Sequence, residues 1–209
     1  MMMKTDRVET YLNKILPNAK CELNYNKDYE LLIATVLSAQ TTDKRVNEVT
    51  KILFNKYDVY SLKDADKKDV EQIIRPIGTY TKKAVYCIEI AKSLVEDYDG
   101  HVPNNRKYIE SLPGAGRKTA NVVLSNLYDV PAIAVDTHVE RVSKRLGLVK
   151  EYDDVRKVEE KLKRKFKKES WSKLHHQLVL FGRYYCKAIK PECLNCQLKS
   201  ICKEKKKNC

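Results

Sequence analysis

Apolar residues return at every third or fourth position along almost the whole chain, and that period commits it to helices. Leu31, Leu32, Thr35 and Val36 share one stripe, with Asp28 placed to cap a helix running on to Ala39. Val46, Val49, Leu53 and Tyr57 mark a second helix. Val70, Ile73 and Ile74 mark a third, which has to stop before Pro76. From about Thr81 the residues Ala84, Val85, Ile88, Ala91, Val95 and Tyr98 make a long fourth, with Gly100 at its left-handed end. Tyr108 and Ile109 sit in a short fifth helix. Others are expected over 116–128, 136–146, 155–166 and 171–185, and one more within 6–16. Only Ala132–Val135 resembles a strand, and one strand that short builds no sheet. The 209 residues include six glycines and six prolines, too few turn-formers for a β-sandwich. The expectation is an all-α fold with enough chain to bury a core.

Charge separates the two ends of the chain. Residues 140–209 hold 21 Lys and Arg against 9 Asp and Glu, whereas residues 1–139 hold 20 against 19. A basic segment of this kind suits a polyanion, either nucleic acid or a membrane surface, although a solvated basic face would look the same. No apolar run is long enough to span a membrane. The opening Met1-Met2-Met3-Lys4-Thr5-Asp6 lacks the apolar core of a secretion signal, so a cytoplasmic protein is expected. There, seven cysteines serve something other than a disulfide framework.

Three motifs carry chemistry. The first is Leu112-Pro113-Gly114-Ala115-Gly116-Arg117-Lys118-Thr119-Ala120, a hairpin between a short helix and a long one. Gly114 and Gly116 let the backbone turn and approach a ligand, and the amides opening the second helix make an anion site. A bare Gly-x-Gly suits any helical turn; the full string followed by Arg117 and Lys118 favours a DNA phosphate. Lys118 lies where the helix dipole disfavours an ammonium. A lysine that has lost its proton is a nucleophile toward an aldehyde-like carbon, but a phosphate-contacting lysine fits the place equally well. The second motif is Val135-Asp136-Thr137-His138-Val139-Glu140-Arg141-Val142, where Asp136 stands at an N-cap position. Taken alone, Asp136 is a helix cap and His138 a core or backbone-bonded residue. The third is Cys186-x6-Cys193-x2-Cys196-x5-Cys202. Such clusters bind zinc or iron–sulfur, and the single C-x2-C with wide flanks leans toward iron–sulfur. Cys21, Cys87 and Cys209 read as buried or tail thiols.

Together the hairpin, the Asp136 segment and the four-cysteine pattern resemble the endonuclease III family of DNA glycosylase/AP lyases, within the helix–hairpin–helix–Gly/Pro–Asp superfamily. The likeness runs from about Cys21 to Cys202. It implies two all-α lobes with a DNA cleft between them. One is a six-helix lobe over residues 21–131 with the helix–hairpin–helix at about 104–128. The other joins residues 1–20 to 132–209 and carries a 4Fe–4S cluster on Cys186, Cys193, Cys196 and Cys202. The resemblance makes Lys118 the nucleophile and Asp136 the essential carboxylate. Leu37-Ser38-Ala39-Gln40 is similar to the family segment whose glutamine enters the gap left by a flipped base. Gly114, Gly116 and Arg117 are the expected phosphate contacts. Lys187 and Lys190 join them from the loop between Cys186 and Cys193, which a cluster would pin. The partner implied is double-stranded DNA with damaged bases or abasic sites, bound by a monomer. Lys118 and Asp136 lie outside the cysteine segment, so turnover is expected to survive cluster loss in part.

Two departures from the family pattern stand out. Thr79 occupies the loop Ile77-Gly78-Thr79-Tyr80 where the family often has a wedging leucine, and Asp129 stands two residues before Pro131 where a glycine is usual. The reaction class expected is base removal, from oxidised pyrimidines on the resemblance, followed by strand nicking. One rival is an adenine-mismatch glycosylase, which lacks the lysine nucleophile and carries a further C-terminal domain. A non-catalytic iron–sulfur DNA-binding module is another, and it would have no use for Lys118 with Asp136.

Overall fold

The computed structural model describes residues 3–205 and 207, and every regular element in them is helical. Cys209, expected as a tail thiol, lies outside the described residues. The chain divides into two compact units. One is Glu22–Tyr128; the other joins the N-terminal residues through Cys21 to the segment from Asp129 onward.

The first unit is built around α2 (Asp28–Leu37), whose residues from Tyr29 to Leu37 are all buried. A helix apolar on every side belongs at a centre. Packed on it are α3 (Asp43–Lys56), α6 (Tyr80–Tyr98) and α8 (Arg117–Leu127). Two short helices, α4 (Val59–Leu62) and α5 (Lys67–Ile74), pack on α6, and α7 (Arg106–Ser111) pairs with α8 as a hairpin. Side-chain caps start several of these helices. Thr42, Asp58, Asp66 and Asn105 each accept a bond from an amide three residues on. Asp28 is not the cap of α2 but its first helical residue. The carboxylate of Glu30 takes the preceding amides of Asn26 and Lys27, leaving Asp28 to accept from the distant Val102 amide at 2.8 Å. At the end of α6, Asp99 takes the left-handed turn as well as Gly100.

In the second unit α1 (Lys4–Ile15), α9 (Thr137–Arg145), α10 (Val155–Lys165) and α11 (Trp171–Leu180) enclose a core of Val8, Leu12, Val139, Val142, Leu162, Leu178 and Phe181. Each such fully buried aliphatic side chain contributes about 1.5–3 kcal/mol. Ala132–Val135 is buried but has no regular secondary structure and pairs with no strand among the described residues. The helix expected over 171–185 changes pitch: Phe181–Tyr185 continues α11 as a π turn, closed by a bond from the Cys186 amide to the Phe181 carbonyl at 2.7 Å. No helix among the described residues is long and apolar enough to cross a membrane.

Candidate active site and cysteine loop

Gly114 and Gly116 do different jobs in the α7–α8 hairpin. Gly114 has φ +73°, and a Cβ there would stand 2.5 Å from the Tyr86 ring and 3.0 Å from Val36. Both the turn and the packing therefore demand glycine. Gly116 has an extended backbone, and its missing Cβ would meet nothing within 4 Å. Neither conformation nor internal packing explains it; what glycine leaves there is open surface at the mouth of α8. Having no side chain, Gly116 also supplies no cap, so the opening amides of α8 are not taken up by an N-cap side chain. Arg117 and Lys118 are both exposed in this first turn. Arg106 bonds Asn121 at 2.8 Å and ties the two helices of the hairpin together.

Asp136 is the N-cap of α9, as its position predicts. Its Oδ1 accepts from the amides of His138 at 2.9 Å and Val139 at 2.8 Å. His138 packs against the backbone of Gly182, where an added Cβ would come within 2.9 Å of the His138 Cβ. Its Nδ1 faces the Arg141 Nη2 at 3.2 Å, and since arginine can only donate, Nδ1 is the unprotonated nitrogen. Burial, opposed by Asp136 and helped by Arg141 and Arg183, pushes His138 below the usual imidazole range. Lys118 and Asp136 belong to different units of the chain.

Cys186, Cys193, Cys196 and Cys202 line one pocket together with Leu146, Phe181, Tyr185 and Pro191. Turns bring them there: the Cys196 amide bonds the Cys193 carbonyl at 3.2 Å, and the Cys202 amide bonds Leu198 at 3.0 Å. No three His, Cys, Asp or Glu side chains among the described residues form a group able to hold a metal ion. Four thiols lining one apolar-walled pocket provide the thiolate donor set that zinc and iron–sulfur centres share. The Arg145 Nη1 lies 3.5 Å from the Cys186 Sγ, a cation where a thiolate ligand would need one.

Two arginines that the sequence did not single out bind this loop to α9. Arg141 donates to the carbonyls of Gly182 at 2.7 Å and Cys186 at 3.2 Å. Arg145 donates to those of Lys187 at 2.7 Å and Ala188 at 3.2 Å and pairs with Glu204. Lys187 and Lys190 are exposed at the loop, and Lys187 pairs with Glu192 at 2.7 Å. Gln40 is exposed beyond α2 with φ +57°. Thr79 shares that left-handed conformation before α6.

Residues 33–168 match the model of the HhH-GPD superfamily of base excision DNA repair proteins. The endonuclease III of Bacillus subtilis (strain 168) is 49% identical over 99% of this chain and 96% of its own length. That of Escherichia coli (strain K12) is 41% identical over 99% of each. Among solved structures, a trapped endonuclease III–DNA covalent intermediate superposes with a TM-score of 0.91 at 48% identity, covering 98% of this chain and 97% of that one. A thermostable thymine-DNA glycosylase shares the fold, with a TM-score of 0.84 at 24% identity over 96% and 95% of the two chains.

Proposed function

The chain belongs to the endonuclease III family of the HhH-GPD superfamily, and from that premise we propose how its own residues perform base removal and strand nicking. The enzyme is a bifunctional DNA glycosylase/AP lyase of base excision repair, acting on duplex DNA. A stacked base is out of reach of any side chain, so the nucleotide is flipped out at a cost of a few kcal/mol, least for a damaged base. The Lys118 amine attacks C1′ of the extruded sugar. The glycosidic bond from C1′ to the base nitrogen breaks as the new bond to Lys118 forms, the base departs with the bonding pair, and the amine gives up a proton. The resulting N,O-acetal opens as C1′–O4′ breaks and O4′ takes a proton, leaving a Schiff base between Lys118 and the sugar. Loss of the acidified C2′ proton then expels the 3′ phosphate by β-elimination, and water releases Lys118. The carboxylate of Asp136 stabilises the cationic sugar as the base leaves and helps carry the lysine's proton.

The exposed amides and open surface at Gly116, with Gly114 and Arg117, contact the phosphate backbone, and so do the loop lysines Lys187 and Lys190. Gln40 enters the space vacated by the base. The family carries a 4Fe–4S cluster, and Cys186, Cys193, Cys196 and Cys202 are the residues that would hold it here. When bound, the cluster supplies cross-links that shape the loop bearing Lys187 and Lys190. The reaction is assigned to the cytoplasm, where the genome and reducing conditions coincide.

Oxidised pyrimidines are the substrate class proposed. The observation that best supports the reading is Lys118 in the first turn of a hairpin helix whose N-cap is a bare glycine. A cleavage panel tests it. Duplexes with an oxidised pyrimidine, an abasic site or an adenine mismatch should be nicked in the first two cases only. Excision restricted to the mismatched adenine would overturn the assignment, and absence of nicking at the abasic site would overturn the lyase.

A further inference from the structure

Lys83 is fourth in α6 and only 4% exposed, a lysine in the interior of the Glu22–Tyr128 unit. Its Nζ reaches back to the end of α2. It donates to the carbonyls of Leu37 at 3.0 Å and Ala39 at 2.7 Å and to the Thr41 hydroxyl at 3.4 Å. All three acceptors are neutral, and burial holds the ammonium below its usual range. Burying a lysine against neutral acceptors costs free energy that a leucine or methionine would not. What it accomplishes is local: the carbonyls at the C-terminus of a helix attract a cation, and the bonds to Lys83 fix the backbone at Leu37 and Ala39, directly before Gln40, with the Thr41 hydroxyl bonded beyond it.

The same residue is bonded to the other strained turn. The Lys83 amide donates to the carbonyl of Thr79 at 3.1 Å. Among the described residues, five that are not glycine have positive φ; Gln40 and Thr79 are two of them, both at +57° and both exposed at loop tips. For β-branched Thr79 that conformation is a genuine outlier. Left-handed non-glycine residues cost about 1–3 kcal/mol each and persist where their surroundings over-determine them. The ammonium of Lys83 constrains the Gln40 tip, and its position in the first turn of α6 ties that tip to the helix that Thr79 opens; the amide bond to Thr79 is the helix's own and needs no lysine.

We propose that Lys83 is a positioning residue whose ammonium locks the Gln40 tip against the start of α6, the helix that Thr79 opens, so that Gln40 enters a duplex in a fixed place when a nucleotide is flipped out. The proposal rests on the reading of Gln40 as the gap-filling residue. The test uses the full-length, cluster-loaded protein and three variants: Lys83→Met, Gln40→Ala and the double. Lys83→Met keeps the apolar stem and removes the donors. Single-turnover base excision is measured on a duplex with an oxidised pyrimidine, and β-elimination on a single-stranded abasic oligonucleotide, which leaves no gap to fill. Lys83→Met should lower duplex excision by roughly ten- to a hundredfold. Single-strand cleavage should stay near wild type, and the double variant should be little worse than Gln40→Ala alone. A selective loss in Gln40→Ala with none in Lys83→Met, equal losses on both substrates, or additive losses would overturn the role of Lys83. A silent Gln40→Ala would instead remove the gap-filling reading and this proposal with it. Should Lys83→Met not fold, Lys83→Gln keeps a donor too short to span the three acceptors. It should show the same selective loss in smaller measure, and wild-type duplex excision by that variant would overturn the proposal.

Discussion

Lys118 and Asp136 differ in what they do for the folded chain, and that difference makes them separable by mutation. Lys118 is an exposed residue in the first turn of α8, where its own backbone and not its amine serves the helix. Lys118→Ala should leave the melting temperature within about 2 °C, since surface changes of this kind stay within about 0.5 kcal/mol. It should abolish both strand nicking and borohydride trapping on abasic DNA. Trapping at wild-type yield would assign the Schiff base to another amine. Asp136 is bound into the fold by two amide bonds on a single carboxylate oxygen. Asparagine offers the same oxygen and is an equally good N-cap, so Asp136→Asn should cost less than about 0.5 kcal/mol of stability. It removes the charge, and base excision should fall by about two to three orders of magnitude, the scale of one lost transition-state contact. Activity within a few-fold of wild type would leave Asp136 as a cap and nothing more.

Within the hairpin the two glycines give opposite expectations. Gly114→Ala forces a left-handed alanine and drives its methyl into the Tyr86 ring. A loss of about 2 kcal/mol follows, or roughly 4–8 °C in a chain of this size. Gly116→Ala meets no atom and needs no unusual dihedral. As the N-cap of α8 it loses a little, since alanine is a poorer cap than glycine, about 0.5–1 kcal/mol and well below the loss at Gly114, while affinity for duplex DNA drops because the methyl occupies the surface a phosphate must approach. Thermal melts and a binding titration on the same two proteins check both; a Gly116→Ala destabilised as much as Gly114→Ala, or an unaffected affinity, would contradict this account.

The hairpin was legible beforehand because its turn residues and apolar spacing are local, and so were the Asp136 cap and the four cysteines. Less legible was whatever depends on a distant partner. Lys83 reads as a solvated lysine until the carbonyls of Leu37 and Ala39 are found beside it, more than forty residues away in sequence. Arg141 and Arg145 look like the outer face of α9, yet they grip the backbone of the cysteine loop. The single turn α4 is too short for a period to register, and the π turn after α11 has no compositional mark. Ala132–Val135 has the composition of a strand because it is buried, without a ladder to join.

At the scale of the whole chain, the positive charge and the cysteine loop are one problem. Most of the net charge of +13 belongs to residues 140–209, and the segment after Cys186 carries little apolar content of its own. Backbone turns and the bonds of Arg145 hold it in place, and its four thiols line one shared pocket. Cys196→Ser should therefore lose the visible absorbance and iron of the cluster and release the loop that presents Lys187 and Lys190. Each phosphate contact adds about 0.9 to the slope of log K against log salt, so losing both would flatten it by nearly two. Lys187 already has Glu192 as a partner and trades one ion pair for another on binding. Its share is smaller, and a flattening of about one to two is the expectation. The arginines alter the outlook for chemistry as well. By sequence position alone, Asp136 stands apart from the cysteine segment. In the structure, Arg141 and Arg145 on the helix that Asp136 caps are bonded to the carbonyls of Cys186, Lys187 and Ala188. Loss of the cluster should loosen α9 from that side and lower excision even at saturating DNA, not affinity alone. Single-turnover rates at saturating duplex, measured beside the salt titration, distinguish the two. A cluster-free variant with weakened binding but an undiminished saturated rate would show that α9 stays anchored without it. An unchanged salt slope would show that the loop lysines do not meet the backbone of DNA.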